Sequence, residues 1–184
     1  MATLTTRNGV FETNSSSVHT IVICKNDNID SKKLPDTVYF TFGEFGWDFE
    51  EYNDILSKAS YLYTALWYIY YDRDSTETTE KREDWLNYIK ETLAEWNIKC
   101  EFMKPQMAHY GTYYETGYVD HGSNLKDLLN KMRKDKSLLL NFLFCDDTTI
   151  YTGNDNCDED ELDELYEKTN NHHGDVILTY KKGN

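Results

Sequence analysis

Val18-His19-Thr20-Ile21-Val22-Ile23-Cys24 is the stretch on which the fold of this chain depends. It alternates between outward and inward positions and is rich in β-branched residues, so it predicts a strand. A second strand is predicted over residues 37–42, after a turn at residues 34–36. From Glu51 the apolar residues recur with helical spacing, which predicts a helix up to the polar linker at residues 72–79. The chain therefore begins with strands and then changes to helices.

The remaining pattern continues this mixture of helices and strands. A second helix after the linker predicts a helical hairpin. Further elements are predicted as a strand at Ile98–Met103, a helix at Leu125–Arg133 capped by Asn124, a central strand at Leu138–Phe144, a strand at Thr148–Tyr151, an acidic helix from Asp158 to Thr169 and a strand at Val176–Tyr180. Residues 110–122, rich in glycine and tyrosine, predict an exposed β-hairpin or a long structured loop.

This order of elements predicts the α+β class. We expect a single mixed or antiparallel sheet, with the helical hairpin and two shorter helices packed on it and the Tyr/Gly-rich β-hairpin exposed. The length of 184 residues fits one domain, residues 1–184. Aromatic residues make up 15% of the chain and supply bulky apolar surface for a core, which argues against disorder.

The charge of the chain restricts its partners. With 33 acidic residues against 19 basic ones, the net charge is −14. Long-range repulsion disfavours free DNA, free RNA and anionic membranes, and it favours a basic protein partner. Two interpretations stay open, an acidic surface that keeps the protein in solution and an acidic surface that occupies a nucleic-acid channel of another protein.

The sequence predicts neither a cofactor nor a metal. Cys24, Cys100, Cys145 and Cys157 lie apart without the spacing of a zinc site, and the first three lie in apolar runs that predict buried thiols. No phosphate-binding loop or dinucleotide-binding glycine pattern occurs. The chain starts without a secretory leader and has no apolar run of about 20 residues, so we expect a cytoplasmic protein.

The segment before the first strand concentrates reactive side chains. Glu12 and His19 are candidate catalytic residues as general acid and base, and Arg7 is a candidate cation for a phosphate group. Asn14 and Ser15–Ser17 can donate hydrogen bonds to phosphate oxygens. We expect a rigid loop too polar for the core. The same residues also suit a capped turn, in which Asn14 and the serines satisfy loop backbone groups, Arg7 pairs with Glu12 and His19 packs at the start of a strand.

A second candidate set lies in the glycine- and tyrosine-rich region. Asp120 and His121 adjoin one another, and Tyr113 and Tyr114 precede them. An aspartate beside a histidine on such a loop is a candidate binding or catalytic site, and the loop itself could enter a groove of a partner. A solvent-exposed turn is the alternative.

The opening Arg7-x-Gly9-x-Phe11-Glu12-Thr13-Asn14-Ser15-Ser16-Ser17-x-His19 resembles the start of small proteins of phages and mobile elements of Gram-positive bacteria. In size and acidity the whole chain is similar to streptococcal-type anti-CRISPR inhibitors of Cas9, of the group that disables the guide RNA. The resemblance implies Cas9 and its guide RNA as partners in the cytoplasm of a bacterial host cell. It also implies a function, which is inhibition of Cas9 by promoting cleavage of the guide RNA through the N-terminal loop.

This function would require ribonuclease-like chemistry without a metal, in a protein delivered to RNA by a basic partner. The alternative function is a stoichiometric, acidic nucleic-acid mimic or binding protein without catalysis. The acidic residues that motivate the alternative are concentrated between Asp155 and Glu167.

Overall fold

The computed structural model describes residues 18–25, 29, 33–46, 48–70, 76–107, 114–120, 125–153, 167–168 and 176–182. The described elements, in chain order, are β1 (Val18–Cys24), β2 (Thr37–Phe40), β3 (Glu44–Phe45), β4 (Glu50–Tyr52), α1 (Ile55–Ile69), α2 (Thr76–Ala94), β5 (Lys99–Phe102), β6 (Gln106–Met107), β7 (Tyr114–Glu115), β8 (Tyr118–Val119), α3 (Lys126–Lys134), α4 (Lys136–Phe144), β9 (Thr149–Gly153) and β10 (Val176–Lys182). Helices and strands occur together without regular alternation, which confirms the α+β class.

The largest sheet has four strands in the order β10-β1-β9-β4, and every pairing within it is antiparallel. Strand β1 is hydrogen-bonded on both edges and buried on both faces. Ile21 and Ile23 belong to the main core, whereas Val22 and Cys24 pack with Tyr151 in a second, smaller cluster. Because successive side chains of a strand point to opposite faces, the two clusters lie on opposite sides of the sheet.

The prediction of a single sheet is wrong. The other described strands form three separate pairs, β2 with β5, β3 with β8 and β6 with β7. The first two pairs are parallel and the third is antiparallel. Strands β2 and β8 both pack against α1. Helix α1 therefore supports the β2–β5 and β3–β8 pairs. Strands of only two to four residues form few hydrogen bonds, so these pairs do not extend into a larger sheet.

Helix α1 lies at the centre of the molecule. Its residues from Lys58 to Trp67 are all buried, since the helix contacts β2, β8 and α4 as well as α2. Tyr61 and Tyr63 are each 2% exposed, so these two rings belong to the core.

Helix α2 contacts α1 through a buried cation. The Arg82 guanidinium donates a hydrogen bond to the Tyr70 carbonyl (3.0 Å) and lies 3.8 Å from the centre of the Trp67 ring. The two successive helices thus occur as predicted. Among the described residues, no helix has both the length and the apolar character that crossing a membrane requires.

The predicted central strand at Leu138–Phe144 is wrong, because this run belongs to α4. Asp135 caps the helix and accepts hydrogen bonds from the Ser137 and Leu138 amides at 2.9 and 3.4 Å. Helix α4 packs against α1, α3 and β1. An apolar run predicts burial, but it does not distinguish a buried strand from a helix that is covered on all sides.

The predicted β-hairpin within residues 110–122 is also wrong. Strand β7 pairs with β6, and β8 pairs with β3 instead of with β7. Val119 of β8 is fully buried, so this end of the region is part of the core. Gly117, with φ at +63°, separates the two strands and lets the chain turn away between them.

Candidate functional site

The structure describes the side chains of two predicted site residues, His19 and Asp120. Outside the described residues lie Arg7, Glu12, Asn14, Ser15, Ser16, Ser17, Tyr113 and His121. Tyr114 belongs to β7, and only its backbone is described. His19 is two residues from Ser17, and His121 directly follows Asp120. His19 and Asp120 are therefore the described residues of the two predicted sets, and the other members are close to them in sequence.

His19 is the second residue of β1 and is only 2% exposed. It lies opposite Thr152 of β9 and Lys182 of β10, in the interior of the sheet. The structure therefore places His19 at the buried start of a strand, as the alternative to a polar loop predicts, and the loop residues before Val18 lie outside the described residues. Strand β1 begins at Val18, one residue before His19, and β9 and β10 pair with its two edges.

Tyr61 fixes the orientation of the His19 ring. The Tyr61 hydroxyl is 3.1 Å from His19 Nδ1, and the two ring centres are 6.0 Å apart. Phe45 packs edge-on against Tyr61 at 5.1 Å, so the tyrosine has aromatic support. A hydrogen bond to one ring nitrogen sets which nitrogen carries the proton. Tyr61 is thus a positioning residue for His19.

Gly46 brings His19 and Asp120 into one site. A Cβ atom on Gly46 would lie 2.8 Å from His19 Nε2 and 2.9 Å from the Asp120 Cβ. The Asp120 amide donates to the Phe45 carbonyl at 2.8 Å, which holds the end of β8 beside the turn after β3. One described residue of each predicted set, His19 and Asp120, therefore approaches the same glycine, the residue type that leaves room for both.

The tautomer of His19 determines what this cluster can do. If the Tyr61 hydroxyl donates to Nδ1, the neutral ring carries its proton on Nε2, which is then a hydrogen-bond donor, and general acid catalysis would need the protonated, cationic ring. If Nδ1 donates to Tyr61, Nε2 carries the lone pair and is a base. Both arrangements leave Nε2 beside Gly46, which the Cβ of the half-buried Asp120 also approaches.

Negative charge accumulates beside this cluster, around Tyr118. Burial raises the pKa of Tyr118, and the negative charges of Glu44, Asp120, Asp48 and Glu50 raise it further. Burial and the charge of Asp48 likewise raise the pKa of Glu50. Like charges at close range favour the protonated forms, which is why these pKa values are raised. The carboxylates that remain ionised give this surface a negative potential, which favours cations over anions.

Lys58 is a buried cation that the sequence analysis did not identify as functional. Its side chain has no solvent exposure, and Nζ donates to the carbonyls of Cys145 (2.8 Å) and Thr148 (3.4 Å). Burial lowers the pKa of Lys58 to about 8. The ammonium group caps the carboxyl end of α4, where the helix dipole favours a cation. In the sequence, a lysine within the apolar residues of a predicted helix could have pointed to this buried cation.

The described cysteines follow the predicted burial with one exception. Cys24 and Cys145 are buried, 0% and 2% exposed, and Cys100 is half-buried. Burial raises the pKa of the Cys100 thiol to about 11, so this thiol stays protonated at neutral pH. Cys157 lies outside the described residues.

No protein-family model, curated protein or solved structure matches this chain. The described residues contain no group of three or more histidine, cysteine, aspartate or glutamate side chains placed to hold a metal ion.

Proposed function

We propose that this protein is an anti-CRISPR protein of a phage or mobile element, and that it inhibits Cas9 by cleaving the guide RNA at the His19–Asp120 cluster. The observation that carries the catalytic part is the meeting of His19 and Asp120 at Gly46, with Tyr61 holding the other histidine nitrogen. The resemblance of the opening segment to proteins of phages and mobile elements supports the biological context. The segment enters β1 directly before His19.

The chemistry is an acid–base cleavage of RNA. A base removes the proton of a ribose 2′-hydroxyl, whose oxygen attacks the adjacent phosphorus, and an acid protonates the leaving 5′-oxygen. His19 takes one role, and the second role falls to a carboxyl group, Asp120 or Glu12. Because His19 is only 2% exposed, Cas9 binding has to open this end of β1 before the RNA can reach it. Arg7 neutralises the phosphate. The reaction leaves a 2′,3′-cyclic phosphate and a 5′-hydroxyl, so the ends of the products identify the mechanism.

The charge of the chain explains why a partner is part of the proposal. A net charge of −14 opposes the approach of free RNA. A basic RNA-binding protein such as Cas9 attracts the acidic chain and presents its RNA at the same time. Cleavage is therefore expected for guide RNA bound to Cas9 and not for the same RNA alone.

The test incubates the protein with Cas9 and end-labelled guide RNA and separates the products on a denaturing gel. Wild type is expected to shorten the RNA. The carboxyl group that takes the second role is the one whose amide variant, Asp120→Asn or Glu12→Gln, slows cleavage about 100-fold or more. Asp36→Asn, the same change at an exposed aspartate, is the matched control and is expected to retain full activity. Intact RNA with the wild-type protein would contradict the catalytic proposal.

Tyr61→Phe separates the positioning role from general stability. It removes the hydroxyl next to His19 Nδ1 and keeps the aromatic packing with Phe45. We expect the pH profile of cleavage to shift, because the hydrogen bond that selects the tautomer is lost. Tyr39→Phe, at an exposed tyrosine of β2, controls for loss of a hydroxyl. An unchanged pH profile in Tyr61→Phe would rule out the positioning role.

The second candidate function is a stoichiometric acidic mimic, and the negative cluster around Tyr118 favours it. In that case Cas9 loses DNA cleavage while its guide RNA stays intact. Changing Asp48 and Glu50 to amides, together with the acids between Asp155 and Glu167, would weaken binding and its salt dependence. Unchanged affinity in this variant would exclude the mimic.

A further inference from the structure

A small groove opens on the surface where the segment from β2 to β3, the segment from β5 to β6 and the turn before β8 meet. Its volume is about 280 Å³. The described residues that line it are Phe42, Gly43, Glu44, Met103, Gln106 and Gly117. Pockets for cofactors and small molecules typically span about 300–1,000 Å³, so this groove suits a single side chain.

The floor of the groove is backbone. The Tyr118 amide donates to the Gly43 carbonyl at 3.0 Å, and the Gly43 amide donates to the Thr64 hydroxyl at 3.1 Å. A Cβ on Gly117 would lie 2.1 Å from the Gly43 carbonyl oxygen. Because two glycines approach so closely, no side chain of the floor fills the space above them.

Two side chains of the lining, Phe42 and Met103, are apolar and lie over helix α1. Phe42 stacks on Tyr63 with the ring centres 4.7 Å apart, and the Tyr63 hydroxyl donates to the Met103 carbonyl at 2.7 Å. Helix α1 thereby holds both residues. The Met103 side chain is 42% exposed, so part of it is accessible at the groove.

The single charge among the lining residues is negative. Glu44 is exposed at the rim. The described ion pairs of this protein use Glu51, Glu77 and Glu95, and none uses Glu44, Asp48 or Glu50. The lining combines two apolar side chains, Phe42 and Met103, with backbone, Gln106 and a carboxylate at the rim. Inside a larger negative field, this mixed groove complements a cation that has an apolar stem.

We propose that this groove is the docking site for an arginine side chain of a basic protein partner. The methylene stem packs against Phe42 and Met103, and the guanidinium pairs with Glu44. Arginine fits better than lysine, because its planar guanidinium can bind the carboxylate through two hydrogen bonds. This inference rests on the proposed function only in that it assumes a basic protein partner.

The test follows amide and methyl NMR signals of the full-length protein during titration with the capped peptide Gly-Gly-Arg-Gly-Gly. The control peptide carries citrulline, which has nearly the same shape without the charge. We expect the arginine peptide to shift the signals of Gly43, Gly117 and the Met103 methyl group. Glu44→Gln is expected to weaken this binding about threefold or more, whereas Glu80→Gln, at an exposed glutamate of α2, leaves it unchanged.

Two results would overturn the proposal. One is the same shifts with the citrulline peptide, and the other is equal affinity for the arginine peptide in wild type and Glu44→Gln. The titration contains neither Cas9 nor RNA, so its outcome is independent of guide-RNA cleavage. Cleaved guide RNA without arginine binding would remove the docking site alone, and arginine binding with intact guide RNA would remove the catalytic proposal alone.

Discussion

Gly46 determines whether His19 and Asp120 can share one site. Its φ of +107° is strained for any residue with a side chain, and the position of its missing Cβ is occupied by His19 and Asp120 atoms within 2.9 Å. We expect Gly46→Ala to reduce the free energy of unfolding by about 1–3 kcal/mol and to separate the two side chains. Denaturant unfolding measures the loss, and Asp48→Ala in the same turn is the control. Wild-type stability in Gly46→Ala would contradict this geometry.

Because the pKa of Lys58 is lowered, we expect the free energy of unfolding to increase at alkaline pH. Its pKa is about 8 in the folded protein, against 10.5 for a lysine in water, the value expected in the unfolded chain. Between these values the unfolded chain binds more protons than the folded one, so the free energy of unfolding rises with pH in this window and the gain is lost as pH falls through 8. The full effect is about 3 kcal/mol.

Lys58→Met isolates the contribution of Lys58. Cys100 acts in the opposite direction, because its raised pKa of about 11 makes stability fall above pH 9. Both proteins contain Cys100, so the difference between their unfolding free energies cancels it. We expect the free energy of unfolding of wild type to increase relative to that of Lys58→Met between pH 8 and pH 10, as measured by urea unfolding. A pH-independent difference would show that Lys58 is not desolvated.

At the scale of the elements, Asp135 decides that residues 136–144 form a helix. Its carboxylate accepts from the amide and the hydroxyl of Ser137 at 2.9 and 2.7 Å. These hydrogen bonds lower the pKa of Asp135, so its stabilising effect is lost as pH falls below 3.8.

Asp135→Ala tests the cap of α4. We expect it to cost about 1 kcal/mol of unfolding free energy at neutral pH, because two amides at the start of α4 lose their acceptor. Asp135→Ser retains a capping oxygen and is expected to cost less than half as much. Thermal unfolding of both variants provides the comparison, and equal losses would mean that the cap is not the source of the effect.

At the scale of the whole molecule, β1 holds the two hydrophobic clusters together. It has a partner strand on each edge, and Ile21, Val22 and Ile23 are fully buried. We expect the β1 amides to show the slowest hydrogen exchange in the protein, because they open only when the main sheet separates. The two-residue pair β6–β7 is the internal comparison and is expected to exchange much faster. Equal rates in β1 and β6 would contradict a central role of β1.

The periodicity of apolar residues predicted the type of secondary structure correctly where a segment has one clear repeat, either strand alternation or helical spacing. The strand at 18–24, the helix after Glu51 and the strand at Lys99–Phe102 all follow from local spacing, because alternation and helical repeat are properties of neighbouring residues. The helix at Lys126–Lys134 follows in the same way, with its basic residues in the last turn. The α+β class needed no more than this.

The sequence by itself determined these local elements, the acidic field and the candidate side chains His19 and Asp120. Only the tertiary structure decided that these two meet at Gly46, that Leu138–Phe144 is helical and that β8 pairs with β3 instead of with β7. The physical reason is that spacing reports the conformation of a segment and its burial. Which distant segments share a surface depends on packing around α1, and that arises only when the whole chain has folded.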